Sequence, residues 1–368
     1  MRNHVIDNLR GICMLGVIAI HIGSLALPAG SFPLYVLLEV LSRYSVPSFF
    51  FISGYGLFCQ LQYTGNIPYL DFIKKRFRSV GLPYISWSLL YLLYFWLILP
   101  PGYVSWNPLH VGFTLFFGLG CYHLYFMVIL LWFYLSFPLW KSLLLYINRF
   151  NVKTGLLLLF IFQLLFNYWT THPGIDTSTW NVLWQNFFLY RLNYLPLHYL
   201  FIFICGGFTA IYQQQFLGWL QQHAKTVTAF YIASIVYIVG SSVHSFYYQG
   251  YSLLDLANTY HQLSPQGLVY TTASLAFFCT FLPKIKTGTK SYYLLDLLSS
   301  NSLFIYLIHP LILDWMSSFY NHYGIVMTVK KVCASYILLV AASLTASILL
   351  TRLLAHCPVA ARLLAGKK

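Results

Sequence analysis

Long apolar runs alternate with short polar stretches along the chain. A helix needs about 20 mostly apolar residues to cross the hydrocarbon core of a bilayer, and ten stretches approach this requirement. The pattern therefore predicts a series of membrane-spanning helices. Their predicted bounds are residues 9–28, 33–59, 79–99, 122–140, 155–171, 188–211, 226–246, 264–282, 299–318 and 330–352. The apolar stretch 106–121 is rich in Gly and Phe, and we interpret it as a re-entrant or interfacial segment before the fourth span.

The composition agrees with a membrane protein. Of the 368 residues, 59% are apolar, 20% are aromatic and only 8% are charged, whereas a soluble domain carries about 25% charged residues. A soluble enzyme is therefore excluded, and the large content of Leu, Phe and Tyr excludes a disordered chain. We found no internal repeat and no long linker, so we predict one membrane domain over residues 1–368. Its predicted fold class is all-α, a polytopic bundle of about ten transmembrane helices.

The basic residues predict the orientation of this bundle. The chain has 21 Lys and Arg against 7 Asp and Glu, a formal net charge of +14. Cytoplasmic loops of membrane proteins carry an excess of Lys and Arg, and a cytoplasmic N-terminus places 17 of the 21 inside. Both termini are then cytoplasmic, and the scatter of the charges over short loops excludes nucleic-acid binding. The inside residues are Arg2, Arg10, Lys74, Lys75, Arg76, Arg78, Lys141, Arg149, Lys153, Lys225, Lys284, Lys286, Lys290, Arg352, Arg362, Lys367 and Lys368.

Two ionisable residues of the first span lie eleven positions apart. Arg10 and His21 differ by 1100° of helical rotation, about 20° from three full turns, so both project from one face about 16 Å apart. Ionisable groups within a membrane are costly and often functional. The alternative is structural: Arg10 extends to the interface and His21 hydrogen-bonds a neighbouring helix.

The second span contains an acidic and a basic residue. Glu39 and Arg43 are spaced i,i+4 in the favourable order, and they can act in chemistry or only neutralise each other inside the bundle. Pro47 and Gly54 follow in the same span, which predicts a kinked or locally opened helix.

A dense cluster of cations, Lys74, Lys75, Arg76 and Arg78, follows the second span. Topology alone does not require four cations in five residues. The cluster can bind anionic lipid or the phosphates of a cytosolic ligand. Two further histidines, His123 and His309, lie at the edges of spans; alone, each is typical of a satisfied structural histidine.

Five stretches form a collinear set of motifs from residue 6 to about residue 315. They are Asp7-Asn8-Leu9-Arg10-Gly11 with His21, Val46-Pro47 to Ser53-Gly54-Tyr55, Lys74 to Arg78 before Leu82-Pro83-Tyr84, His123-Leu124-Tyr125-Phe126, and Ile305 to His309. Taken together, these motifs resemble the acyltransferase-3 family of integral membrane acyltransferases, in the stand-alone form that acylates sugars of cell-surface polysaccharides. Tyr125 replaces the family's Trp, and the family's Arg-x-x-Arg is matched by Lys75-x-x-Arg78, with Arg76 adjacent.

The resemblance implies an O-acyltransferase that moves an acyl group, expected to be acetyl, from cytosolic acetyl-CoA to a hydroxyl of a glycan or lipid-linked precursor. His21 is the expected general base or transient acyl carrier. Arg10 is expected to guide the thioester, and Arg43, Tyr55 or His309 to stabilise the oxyanion. Membrane lipid is a further partner, and neither a metal nor nucleic acid is expected.

The binding residues follow from the same resemblance. Lys75, Arg76 and Arg78, with Arg10, are expected to bind the acetyl-CoA donor. Glu39, Tyr55 and His123 are expected to bind the acceptor. The implied location is the plasma (inner) membrane of a bacterium, where the protein is multi-pass.

Two other classes of protein remain open. A secondary transporter or flippase also has about ten spans and buried ionisable residues. Transporters often show two similar halves with broken helices, and no such repeat is visible here. A structural or regulatory membrane subunit does not explain the aligned polar residues.

Overall fold

The computed structural model describes residues 3–26, 30–64, 68–172 and 174–366. The end of the first predicted span, together with Arg2, Lys367 and Lys368, lies outside them. The described part is helical and contains no strand, which confirms the all-α fold class. The helices are α1 His4–Ala26, α2 Phe32–Leu38, α3 Ser45–Thr64, α4 Tyr69–Arg76, α5 Leu82–Ile98, α6 Pro108–Phe117, α7 Tyr125–Leu135, α8 Phe137–Phe150, α9 Val152–Thr171, α10 Val182–Leu189, α11 Arg191–Tyr194, α12 Leu200–Ile211, α13 Gln213–Gln222, α14 Ala224–Tyr248, α15 Leu253–Thr259, α16 Pro265–Phe281, α17 Lys290–Ser300, α18 Ser302–His322, α19 Val329–Leu354 and α20 Pro358–Ala365.

Seven helical segments in the described part are long and apolar enough to cross a membrane. Two bent pairs raise the number to nine if each pair is one span: α7 with α8, at 66°, and α12 with α13, at 101°. The sequence pattern predicts about ten. The seven are His4–Gly23, Phe32–Gln60, Tyr69–Ile98, Val152–Thr171, Ala224–Tyr248, Ser302–His322 and Val329–Leu354.

The predicted span 264–282 accounts for the difference. It forms α16, which has only 17 residues and is therefore about 25 Å long, shorter than the hydrocarbon core of about 30 Å. Its buried residues include the polar Thr271, Ser274 and Thr280, which lower its apolar character.

Contacts divide the chain into two compact units. The first unit comprises Met1–Gln60, Phe160–Thr171 and Phe201–Leu349, and the second comprises Leu61–Leu159, His172–Leu200 and Leu350–Lys368. The single domain over residues 1–368 stays a prediction, as does the orientation of the termini.

The core of the first unit is built around α1. Side chains from one side of this helix pack against α2, α17, α18 and α19. Because lipid is as apolar as these side chains, close packing rather than burial from water holds the helices together. The fully or nearly fully buried members of this core are Met14, Val17, Ile18, Ala19, Ile22, Leu34, Leu38, Leu298, Ile305, Leu313, Val332 and Leu339.

The second span is interrupted, as the sequence predicts. Between α2 and α3 the chain forms a 3₁₀ turn, Val40–Ser42, on the N-terminal side of Pro47; Gly54 lies within the continuous α3. Pro47 has no N–H to donate to the carbonyl four residues earlier, so the helix starts again in the turn before it. Non-helical backbone in a membrane needs internal partners. Side-chain hydroxyls supply them: Tyr270 donates to the Leu41 carbonyl (2.9 Å), Ser45 to Ser42 (2.6 Å) and Ser48 to Tyr44 (2.7 Å).

In the second unit, a five-residue π-helical turn, Phe77–Gly81, joins α4 to α5. The C-terminal helix α20 packs in this region. The Trp87 indole donates to the Leu364 carbonyl (3.2 Å), and the backbone of Gly366, at φ 62°, lies against that of Ser79. The segment predicted to be re-entrant or interfacial contains the ten-residue α6, which ends at Gly118 in the left-handed conformation.

Candidate functional site

Two histidines from distant parts of the chain meet inside the first unit. The ring centroids of His21, on α1, and His309, on α18, are 5.0 Å apart, with a tilt of 37° between the rings. His309 is fully buried, and His21 is half-buried. The sequence pattern indicates each residue separately, and the fold brings them together.

The backbone of α18 determines the tautomer of His309. Its Nδ1 lies 2.9 Å from the Ile305 carbonyl oxygen. Since a carbonyl only accepts a hydrogen bond, Nδ1 carries the proton, and in the neutral ring Nε2 is an acceptor. Neutral His309 therefore offers a lone pair at Nε2; it can donate from that atom only as an imidazolium.

Arg10 lies on α1 with His21, so the helical geometry predicted for these two residues holds. Its Nη1 lies 3.2 Å from Oδ1 of Asp7, with side-chain exposures of 34% and 12%. Asp7 is a partner that the sequence analysis missed. The i,i+3 spacing of opposite charges was the signal that could have identified it.

Glu39 and Arg43 form the ion pair that their spacing suggests. Arg43 Nη2 lies 3.1 Å from Glu39 Oε2, and the two side chains are only 7% and 10% exposed, Arg43 being the more buried. Arg43 Nη2 also donates to the Ala257 carbonyl at 3.3 Å, and α15, which carries Ala257, begins with a capping box formed by Ser252 and Asp255.

The ion pair also approaches α1. A methyl group built on Gly23 would meet the Glu39 carboxyl group, with its nearest oxygen at 2.5 Å. A side chain at this position would therefore require the Glu39 carboxyl group to shift. The pair therefore connects the interruption of the second span to the part of α1 that carries His21.

The structure does not bring Tyr55 to the histidine pair. Its hydroxyl accepts from the Asn3 amide (2.7 Å) and donates to Gln213 Oε1 (2.5 Å). Asn3 precedes α1, and His21 is about 27 Å further along that helix. Asn3 and Gln213 were missed, because nothing in the local sequence relates them to Tyr55.

In the second unit, the predicted donor-binding cations differ in their surroundings. Lys75 and Arg78 are exposed. The Arg76 guanidinium instead lies over the rings of Phe72 and Tyr134, 5.5 Å and 5.4 Å from their centroids. A guanidinium stacked on two rings is held by cation–π attraction, so Lys75 and Arg78 are the accessible positions of the predicted set.

His123 is also in the second unit and is 2% exposed. Its ring makes an edge contact with Tyr91, with centroids 5.5 Å apart and an interplanar angle of 76°. The assignment of His123 to acceptor binding stays a prediction.

The fold and these residues define a multi-pass, all-α membrane protein with a histidine pair in one unit and exposed cations in the other. Residues 3–352 match the family model described as "Acyltransferase domain". The chain therefore belongs to the acyltransferase-3 family, and its class by family is acyltransferase.

Two curated relatives, both from Staphylococcus aureus, are named "Probable poly-beta-1,6-N-acetyl-D-glucosamine export protein". The one from strain Mu50 is 25% identical over 293 residues, which cover 79% of this chain and 75% of the relative. The one from strain MSSA476 is 24% identical with the same coverage. No solved structure matches the chain.

Proposed function

We propose that the protein transfers an acetyl group from cytosolic acetyl-CoA to a hydroxyl of a cell-surface glycan or of its lipid-linked precursor, in the plasma membrane of a bacterium. The observation that carries the proposal is the contact between His21 and His309 in a chain of an acyltransferase family. Imidazole is the side chain best suited to proton transfer near neutral pH.

In the proposed reaction, the acceptor hydroxyl oxygen attacks the carbonyl carbon of the thioester while His21 takes the hydroxyl proton. The carbon–sulfur bond breaks, and the CoA thiolate leaves with that proton. The products are an acetyl ester and free CoA. His21 can instead accept the acetyl group first and pass it to the hydroxyl.

The neighbours of His21 support this chemistry in different ways. The Nε2 atom of His309 can accept a proton beside His21, and its imidazolium form can donate to the developing oxyanion. Arg10 lies on the same face of α1 and is proposed to guide the thioester. Arg43 remains a proposed oxyanion donor.

The donor is proposed to bind at the end of α4 and the π-helical turn. Lys75 and Arg78 are exposed there and can hold CoA phosphates, Arg78 as a planar fork and Lys75 as a point charge. Arg76 is proposed to support this segment through its aromatic contacts.

The test uses full-length protein in lipid nanodiscs, [¹⁴C]acetyl-CoA and an oligomer of β-1,6-linked N-acetylglucosamine. Wild type is expected to release CoA and to label the oligomer. We expect His21→Ala to lose at least about 100-fold of this activity, the lower end of what base catalysis contributes. The matched control is His244→Ala, which removes an exposed histidine of α14 and should keep the wild-type rate. Near-normal transfer by His21→Ala would refute the central role of His21.

A second candidate function is glycan export, because the two relatives carry that name. An exporter moves the glycan without consuming acetyl-CoA. Vesicles that accumulate labelled oligosaccharide, together with purified protein that releases no CoA, would favour export over acetyl transfer.

A further inference from the structure

The second unit contains an open cleft that belongs to none of the sites described above. Its volume is about 510 Å³. Residues before and within α6 form one side, and residues of and after α10 form the other. The lining residues are Ser105, Asn107, Leu109, His110, Phe113, Asn186 and Tyr190.

Local sequence signals build both sides of the cleft. The Asn107 side chain caps α6 by accepting from the Leu109 N–H (2.9 Å), and Pro108 occupies the first helical position, where its missing N–H costs nothing. On the other side, Asn181 caps α10 by accepting from Trp184 N–H (3.0 Å). The Gln185 amide then donates to the Thr177 carbonyl (3.0 Å), which fixes the preceding loop.

An aromatic wall joins the two sides. The rings of Phe113 and Tyr190 meet edge to face, with centroids 5.7 Å apart. The buried Phe117 ring packs against Tyr190, with centroids 5.2 Å apart. The wall presents ring surface to the cleft.

The chemistry of the lining selects the class of ligand. Among the described residues that form the cleft, none is Asp, Glu, Lys or Arg, so the lining offers no permanently charged partner to the phosphates of CoA or of a lipid headgroup. The lining instead combines hydrogen-bonding groups with ring surface: Ser105, Asn107, His110, Asn186 and Tyr190 offer donors and acceptors. A neutral saccharide has the matching surface, with hydroxyls around its edge and C–H groups on its faces.

We propose that this cleft binds one or two units of the neutral glycan acceptor. The volume lies within the range of small-molecule sites, about 300–1,000 Å³. In the predicted topology both sides of the cleft lie in or next to outside loops, where a surface glycan is available. The inference rests on the proposed function for the idea of a glycan acceptor, and on the cleft itself for the location of the site.

The experiment measures binding to full-length protein in lipid nanodiscs, because common detergents carry sugar headgroups. The probes are neutral tetrasaccharides of glucose, galactose and N-acetylglucosamine, tested to about 10 mM, a concentration that detects millimolar dissociation constants. The variants are His110→Ala and Asn186→Ala, and the matched control is His172→Ala, an exposed histidine outside the cleft. Thermal melting confirms that each variant is folded.

We expect at least one tetrasaccharide to bind the wild type and the control. Each cleft variant should raise the dissociation constant of that tetrasaccharide by about fivefold or more, the effect of losing one hydrogen bond. The cleft proposal is overturned if no tetrasaccharide binds, or if folded variants bind like the wild type.

Acetyl transfer is measured on the same samples. Cleft-dependent glycan binding without transfer would leave the cleft site standing and remove the acetyltransferase proposal. Transfer to a glycan at unchanged rate and affinity in both variants would remove the cleft proposal and leave the acetyltransferase proposal standing.

Discussion

Burial of the Glu39 or the Arg43 charge alone would cost much free energy, and burial of the two as an ion pair lowers that cost. Both side chains are almost fully buried, so removal of either partner leaves the other charge without compensation. Such single losses cost about 3–5 kcal/mol, whereas replacement of both partners by apolar residues of similar volume is often neutral. The pair therefore allows stability and chemistry to be separated.

We predict that Arg43→Ala lowers the melting temperature of the purified protein strongly. The double variant Glu39→Leu, Arg43→Met should melt close to the wild type, because it leaves no unpaired charge. As Arg43 is a proposed oxyanion donor, the double variant should remain inactive in acetyl transfer. Melting curves and the labelled acetyl-CoA assay measure the two effects on the same samples.

A suitable control is Arg352→Ala, at the exposed end of α19, which should alter neither quantity. If the stable double variant transfers acetyl groups normally, Arg43 has no part in the chemistry and the pair is structural.

At the residue scale, periodicity predicted which side chains share one face of a helix. It could not predict which side chains of different helices are in contact. The common face of Arg10 and His21 follows from 3.6 residues per turn. The contact of His21 with His309 depends on how α1 packs against α18. Likewise, Lys75, Arg76 and Arg78 carry the same charge, and only the tertiary positions of Phe72 and Tyr134 distinguish Arg76 from the other two.

At the element scale, α3 and α12 cross with their backbones in direct contact. A methyl group on Gly54 would overlap the Phe203 carbonyl oxygen, and one on Gly206 would overlap that of Phe51. Small residues at crossings let membrane helices approach closely. Gly56, two residues along α3, faces open space, where an added methyl group would meet no atom within 4 Å.

We predict opposite effects of the same substitution at these two neighbouring glycines. Gly54→Ala should destabilise the protein by about 1–3 kcal/mol, because the added methyl group forces the helices apart. Gly56→Ala should be neutral or stabilising by up to about 1 kcal/mol, because alanine favours a helix over glycine. The measurement is the melting temperature of each variant; equal melting temperatures would mean that α3 and α12 do not touch at Gly54.

The sequence signals located most of the helices, but they did not always predict the structural role of the residues that gave the signal. Pro47 correctly indicated an interrupted second span. Gly54 was predicted to contribute to the opening, yet it lies in continuous helix, where the packing of α12 requires a glycine. A lone glycine in an apolar run has the same sequence signal in both cases, so the distinction needs tertiary structure.

At the scale of the whole molecule, the number of spans between two residues determines whether they lie on the same side of the membrane or on opposite sides. The predicted topology places residue 179 outside and residue 357 inside, with five spans between them. The described helices long enough to cross there are the α12–α13 pair, α14, α18 and α19. Four crossings would put both residues on one side. The predicted topology therefore requires that α16 crosses as well, although it has only 17 residues, the lower limit for a span.

A membrane-impermeant maleimide can test whether residues 179 and 357 lie on opposite sides of the membrane. Cys357 is the exposed cysteine of the described chain, and Thr179 is exposed in the loop before α10. In a bacterial host, we expect Cys357 to react in inverted vesicles and not in intact cells. Thr179→Cys in a Cys357→Ser background should react in intact cells, and Cys357→Ser alone should show little labelling on either side. Labelling of both positions from the same side would mean that either α16 or the bent α12–α13 pair does not cross. Labelling of Cys357 only in intact cells would reverse the orientation inferred from the positive charges.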